Sequence, residues 1–289
     1  MVTAMPRRAR MALIGAAAGV LLLLATWVVA HYVGPVKRAD VSILSGFAEL
    51  HRPRLDRITS WIADLCDPHQ YVALACVPVL VALLRGRPRV AVTLGIILLG
   101  ANETTQLLKP VLAAPRDPVS WSPLGDATWP SGHATAAMSL ALCAVIAAPA
   151  RRRPMVATAM SSFAIAVCYS FLELGWHYPS DVLGGFLVAT TWTLLGVAGL
   201  SLYEARRPRP VPRIAPGGGR PAFSLREALA PAAVLLALAA ALAGAVALAR
   251  PHEVIEYARV HSAFVVGAAA IGALGISLAS GLMLVLRRP

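Results

Sequence analysis

Eight nearly uninterrupted apolar stretches divide the chain, at 11–33, 70–84, 90–108, 134–149, 155–174, 182–203, 227–249 and 262–286. A helix of about 20 such residues crosses a hydrocarbon core about 30 Å thick. Inside that core every backbone N–H and C=O must be satisfied within the segment, which restricts runs of this length to helices. The chain therefore reads as an all-α, polytopic membrane helix bundle. Its composition of 58% hydrophobic and 14% charged residues lies outside the range of soluble domains. The second stretch is short for a span, so the expected count is eight, bracketed by seven and nine. The first stretch follows Arg7, Arg8 and Arg10. Its apolar core is too long for a signal peptide and no small-x-small site closes it, so it is expected to be an uncleaved anchor.

The net charge of +12 would suit a nucleic-acid binder, but its distribution does not. If the N-terminus is cytoplasmic and the stretches alternate, 17 of the 26 basic residues fall on the cytoplasmic side, at 7–10, 85–89, 151–153, 206–226 and 287–288. That is the positive-inside pattern of a multi-pass protein of the cell membrane, so no nucleic-acid partner is expected. Segment 35–69 is nominally outside yet carries Lys37, Arg38, Arg52, Arg54 and Arg57. Its apolar residues recur at helical spacing, which predicts an amphipathic helix lying on the outer interface. Cys66, Cys76, Cys143 and Cys168 show no metal-ligand spacing, and they read as small core residues. No metal site or disulfide framework is expected. The Pro/Gly/Arg-rich stretch at 204–223 separates six helices from a final pair that reads as an appendage.

Charged and polar groups in spans are costly, so they carry the functional information. Under the alternating topology three such groups fall on the outer face. The first is NETTQLLKPVLAAPRDP, 102–118, in which Lys109 offers a point charge and Arg116 a planar fork, both suited to phosphate. The polar run Asn102 to Gln106 just before them is expected to face the bundle or a wet cavity. The second is WPSGHATAAMSL, 129–140, where a Pro-Ser-Gly turn opens a helix and leaves the amides near Ser131, Gly132 and His133 free for an anion. An N-cap serine beside an incidental histidine is the plainer alternative. The third is GWHYPSDVLGG, 175–185. Asp181 falls in the first turn of the next helix, where the dipole favours an acid, but that does not account for His177. A carboxylate on one imidazole nitrogen fixes the tautomer and leaves the other as a nucleophile or base.

KPVLAAPR (109–116), PSGH (130–133) and SFLELGWHYPSD (170–181) resemble the three motifs of the type 2 phosphatidic acid phosphatase superfamily. Those motifs are lysine, six residues and Arg-Pro; Pro-Ser-Gly-His; and Ser-Arg, five residues, His, three residues, Asp. The resemblance spans about 70–204 and departs twice: Asp117 stands where the first motif has proline, and Phe171 where the third has arginine. It implies a metal-independent phosphatase without cofactors on a six-helix core, here followed by two extra C-terminal transmembrane helices. By that resemblance His177 is the nucleophile, Asp181 its orienting carboxylate and His133 the general acid. Lys109, Arg116, Ser131 and the Gly132 amide form the phosphate cradle.

The expected organisation is an anchor helix and interfacial segment at 1–69, a catalytic core at 70–204, a cytoplasmic linker at 205–226 and a helix pair at 227–289. The expected substrate is a lipid phosphate or pyrophosphate, polyprenyl or glycerophospholipid, met at the extracytoplasmic face. A non-catalytic lipid-phosphate binder or transporter on the same scaffold is the alternative, as is phosphoryl transfer to an acceptor other than water. With Phe171 in the arginine position, the outer loop residues Arg250, His252 and Arg259 are expected to supply a replacement cation.

Overall fold

A computed structural model describes residues 5–116, 119, 124–206 and 224–287. Its eleven α-helices are α1 (Arg7–Tyr32), α2 (Gly34–Glu49), α3 (Asp56–Asp64), α4 (Pro68–Leu84), α5 (Pro88–Val111), α6 (Gly132–Ala147), α7 (Arg153–Glu173), α8 (Pro179–Arg206), α9 (Leu225–Ala249), α10 (Pro251–Val260) and α11 (Ser262–Arg287). A single 3-10 turn, Ala150–Arg152, leads into α7. No strand occurs among the described residues.

All eight apolar stretches are helical, but they are not equivalent. Six helices are long and apolar enough to cross a membrane: α1, α5, the 3-10 turn continued by α7, α8, α9 and α11. Helix α4 reaches that length only together with α3, from which it is bent by 58°, and α6 is a shorter apolar helix of 16 residues. Helix α6 is the centre of the bundle, with nearly every residue from Ala134 to Ala147 buried and with α4, α5, α7, α8 and α11 packed around it.

The ends of the helices sort by chemistry. Arg85 donates to the Ala147 carbonyl at 2.5 Å and Arg87 to the Ile146 carbonyl at 3.3 Å, so the α4–α5 turn caps the C-terminus of α6 with cations. The N-terminus of α6 therefore lies at the other end of the bundle, where α5 and α7 finish and α8 begins. The polar run of α5 fixes this register. Asn102 donates to the Tyr71 hydroxyl at 2.6 Å, the Thr105 and Thr135 hydroxyls meet at 3.0 Å, and Trp192 donates to Thr104 at 3.0 Å. Glu103 is exposed, because one helical face cannot hold five consecutive residues, and the exposed Gln106 brings its amide beside Gly132 at the mouth of the site.

Segment 35–69 departs from the expected single interfacial helix. It breaks at His51–Leu55 into α2 and α3, and α2 packs against α1, α7, α8 and α11. Leu44, Phe47 and Asp40 of α2 are buried, so this helix is a wall of the bundle and not a float on its surface. The final helix pair also divides. Helix α9 touches α7, α10 and α11, and only Ala228 and Pro231 of it are buried. Helix α11 crosses α2, α6, α7 and α8 and buries Ile271, Ala279 and Met283 in the main core. Tyr169 donates to the Ala268 carbonyl at 2.6 Å, and a Cβ on Gly267 would meet Ile43 at 2.7 Å, so α11 is in close contact with α7 and α2. It is not an appendage.

Candidate active site

The three polar stretches, far apart in sequence, meet where α5 and α7 end and α6 and α8 begin. Local backbone signals place each one. Ser131 is the N-cap of α6 and accepts from the Ala134 amide at 3.2 Å, while its own N–H donates to the Asp181 carbonyl at 3.0 Å. That bond ties the second stretch to the third. Close packing of α6 on α8 makes it possible: a Cβ on Gly185 would lie 2.7 Å from the Ser131 carbonyl oxygen and 2.9 Å from the Thr135 nitrogen. At Gly132 an added Cβ would lie 3.4 Å from Gln106 Nε2 and 3.8 Å from Lys109 Nζ, which sets the lysine beside the free amides of the α6 N-terminus.

Helix α7 ends in a Schellman motif, with the Gly175 amide bonded to the Leu172 carbonyl and the Trp176 amide to the Phe171 carbonyl. Gly175 has φ +70°, a conformation that glycine adopts without steric cost. This turn delivers His177 to the front of α8. Its Nδ1 lies 3.3 Å from Asp181 Oδ2, and the Tyr178 amide donates to the same oxygen at 3.0 Å. Asp181 is fully buried, His177 nearly so. The His133 ring faces the His177 ring at 6.2 Å between centroids.

Phe171 stands against both imidazoles, 5.3 Å from His177 and 5.9 Å from His133. It is fully buried and forms an apolar floor against the two rings. The expected substitute cations are elsewhere. Arg250 is exposed and pairs with Glu253 at 3.1 Å, and His252 and Arg259 are exposed. The α10 loop rests on α2 through Tyr257, which donates to the Gly46 carbonyl, and through His261, 3.0 Å from Glu49.

Arg116 is buried behind Asp181. Its Nη2 donates to Asp40 Oδ2 at 2.9 Å, to the Ser180 hydroxyl at 2.8 Å and to Asp181 Oδ1 at 3.3 Å, and its guanidinium lies 4.1 Å over the Tyr178 ring. Asp40 also accepts from the Ser180 amide at 3.0 Å and from the Ser180 hydroxyl, so an acid of α2 caps the first turn of α8. Burial pushes the Asp40 carboxyl up to about 6, against the pull of Arg116 and the Ser180 hydrogen bonds. The result is a continuous line of paired groups, Asp40–Arg116–Asp181–His177. Asp117 lies outside the described residues.

Two acids in this region carry no sequence signal of their own. Asp40 is one. The other is Asp67, whose Oδ1 lies 3.0 Å from His133 Nε2. Among the described residues no group of three or more His, Cys, Asp or Glu side chains gathers so as to hold a metal ion. The four cysteines are free, with Cys66, Cys143 and Cys168 buried and Cys76 exposed.

A comparison with curated protein sequences finds no match. Among solved structures the chain is similar to the first transmembrane PAP2-type phosphatidylglycerolphosphate phosphatase from Bacillus subtilis, with a TM-score of 0.56 and 21% sequence identity. The alignment covers 68% of this chain and 98% of that one. The family model that matches the sequence is that of the PAP2 superfamily, over residues 87–202. That interval contains all three converging stretches, and the bundle that holds them is similar in fold to that transmembrane phosphatase.

Proposed function

We propose that the chain is a metal-independent membrane phosphatase that hydrolyses a lipid phosphate or pyrophosphate, polyprenyl or glycerophospholipid, at the extracytoplasmic face. The observation that carries this reading is the His177–Asp181 pair set opposite His133 beside the α6 N-terminus. Asp181 on Nδ1 holds the tautomer that leaves His177 Nε2 with its lone pair. That nitrogen attacks phosphorus, the P–O bond to the lipid alcohol or phosphate breaks, and His133 gives the leaving oxygen its proton. Water then attacks phosphorus as His133 takes a proton from it, the P–N bond breaks with its electron pair returning to His177 Nε2, and inorganic phosphate leaves. Lys109, Ser131 and the Gly132 amide cradle the equatorial oxygens, where charge accumulates in the transition state. Arg116, buried behind Asp181, holds that carboxylate in place. The apolar runs around the site suit a substrate delivered by the bilayer.

The test is phosphate release from a panel of lipid phosphates by detergent-purified protein, with EDTA present throughout. His177→Ala is expected to lower turnover by about four to six orders of magnitude and to abolish an acid-labile phosphoenzyme. Unchanged turnover in that variant would rule the mechanism out. A lipid-phosphate binder is the second reading, favoured by Phe171 in place of a cation. It requires tight binding of the same lipids with no phosphate release by the wild-type protein.

A further inference from the structure

Asp67 is the N-cap residue of α4, with Pro68 following it. An aspartate there normally turns its carboxylate back onto the free amides of its own helix. This one makes no such bond. Its Oδ1 reaches across to His133 Nε2 at 3.0 Å, from a helix that carries none of the three motif stretches. The rest of the His133 ring is walled by aromatic groups: Trp176 at 5.6 Å, Phe171 at 5.9 Å and His177 at 6.2 Å between centroids. The Asp67 side chain is 42% exposed, so its ion pair with His133 adds little to stability. Its effect is on orientation and protonation.

Resting on the phosphatase reading, we infer that Asp67 is a positioning residue that makes His133 a competent general acid. A carboxylate on Nε2–H fixes which nitrogen exchanges the proton and offsets part of the cost that burial and the neighbouring His177 put on the imidazolium. His133 enters as the cation, with Nε2–H held by Asp67. As the P–O bond to the leaving group breaks, the Nδ1 proton passes to that oxygen and the ring becomes neutral. In the second half Nδ1 accepts a proton from the attacking water, and Asp67 stays ionised throughout.

The test compares two leaving groups on the full-length protein in detergent. Nitrophenolate departs from p-nitrophenyl phosphate without protonation, whereas the alkoxide of a phosphatidic acid needs a proton. Asp67→Asn is expected to lower kcat on phosphatidic acid by about ten- to a hundredfold while changing kcat on p-nitrophenyl phosphate less than about threefold. Asp67→Glu, which keeps the carboxylate but displaces it, is expected to fall between. The ratio of the two rates is internal to each preparation, so partial unfolding cancels from it. An unchanged ratio in both variants, whether through equal loss on both substrates or no loss on either, overturns the inference. Full activity of His177→Ala on both substrates would instead overturn the phosphatase reading itself.

Discussion

The Phe171 ring stands edge-on to the His177 imidazole, with 5.3 Å between centroids and 75° between planes. A buried phenyl therefore supports the group assigned as nucleophile at the position where an arginine would offer a forked contact to phosphate. Phe171→Arg restores that donor. Phosphate release is expected to rise about tenfold or more, since one preorganised donor is worth that much in a transition state. The thermal midpoint should fall, because a charge replaces a buried ring. A loss of turnover with the fold intact would assign Phe171 to holding the imidazoles.

Asp40 predicts a pH dependence of stability. Its folded carboxyl titrates at about 6 against an ordinary value of 3.8, so the folded state binds the proton more tightly than the unfolded chain does. The associated stability is fully present below the ordinary value and is lost as pH rises through about 6. Asp40→Asn removes this titration. The stability of the wild type relative to the variant is expected to decline by up to about 3 kcal/mol between pH 4 and pH 6, as read from thermal or denaturant unfolding in detergent. A pH-independent difference between the two proteins would contradict the assignment.

Gly175 is held at φ +70° by the turn that ends α7. Gly175→Ala introduces a left-handed alanine at a strain of about 1 kcal/mol and tilts the segment that carries His177. A modest fall in thermal midpoint is expected, with a disproportionate loss of turnover. Equal losses in stability and activity would mean that the turn supports the bundle without aiming the histidine.

Gly185→Ala tests the α6–α8 contact. The new methyl has no room beside the Ser131 carbonyl, so the helices must part or the chain must shift, at about 1 to 3 kcal/mol. Parting them weakens the bond from the Ser131 amide to the Asp181 carbonyl. Turnover is expected to drop together with stability, and unchanged unfolding would contradict a close contact of α6 with α8 at Gly185.

The helical class and the eight stretches were legible because burial in lipid demands long apolar runs, and the three polar stretches stood out because lipid makes them costly. Asp40 and Asp67 did not stand out. Each is one of five acids in a stretch that reads as interfacial, and each acquires meaning only through partners 140 and 66 positions away, Ser180 and His133. The inward turn of α2 was hidden for the same reason, since an apolar face reads alike whether it meets lipid or another helix. A signal for α11 was present in Gly267, Gly272 and Gly275, small residues that let Ile43, Tyr169 and Ile165 come close. The α10 loop attracts notice in the sequence because it carries charge, whereas the ring packed against both imidazoles, Phe171, carries none.

The seating of α11 across α2 bears on how the protein is made. Gly46 and Ile43 of α2 receive Phe264 and Gly267 of the last helix, more than two hundred positions later in the chain. A ribosome emits these partners in that order, so α2, with the Asp40 that caps α8, waits without its outer neighbour until α11 has left the exit tunnel. Maturation of the site is thus coupled to the emergence of α11, and a chain released before it would carry every motif while lacking the helix that holds α2 in place.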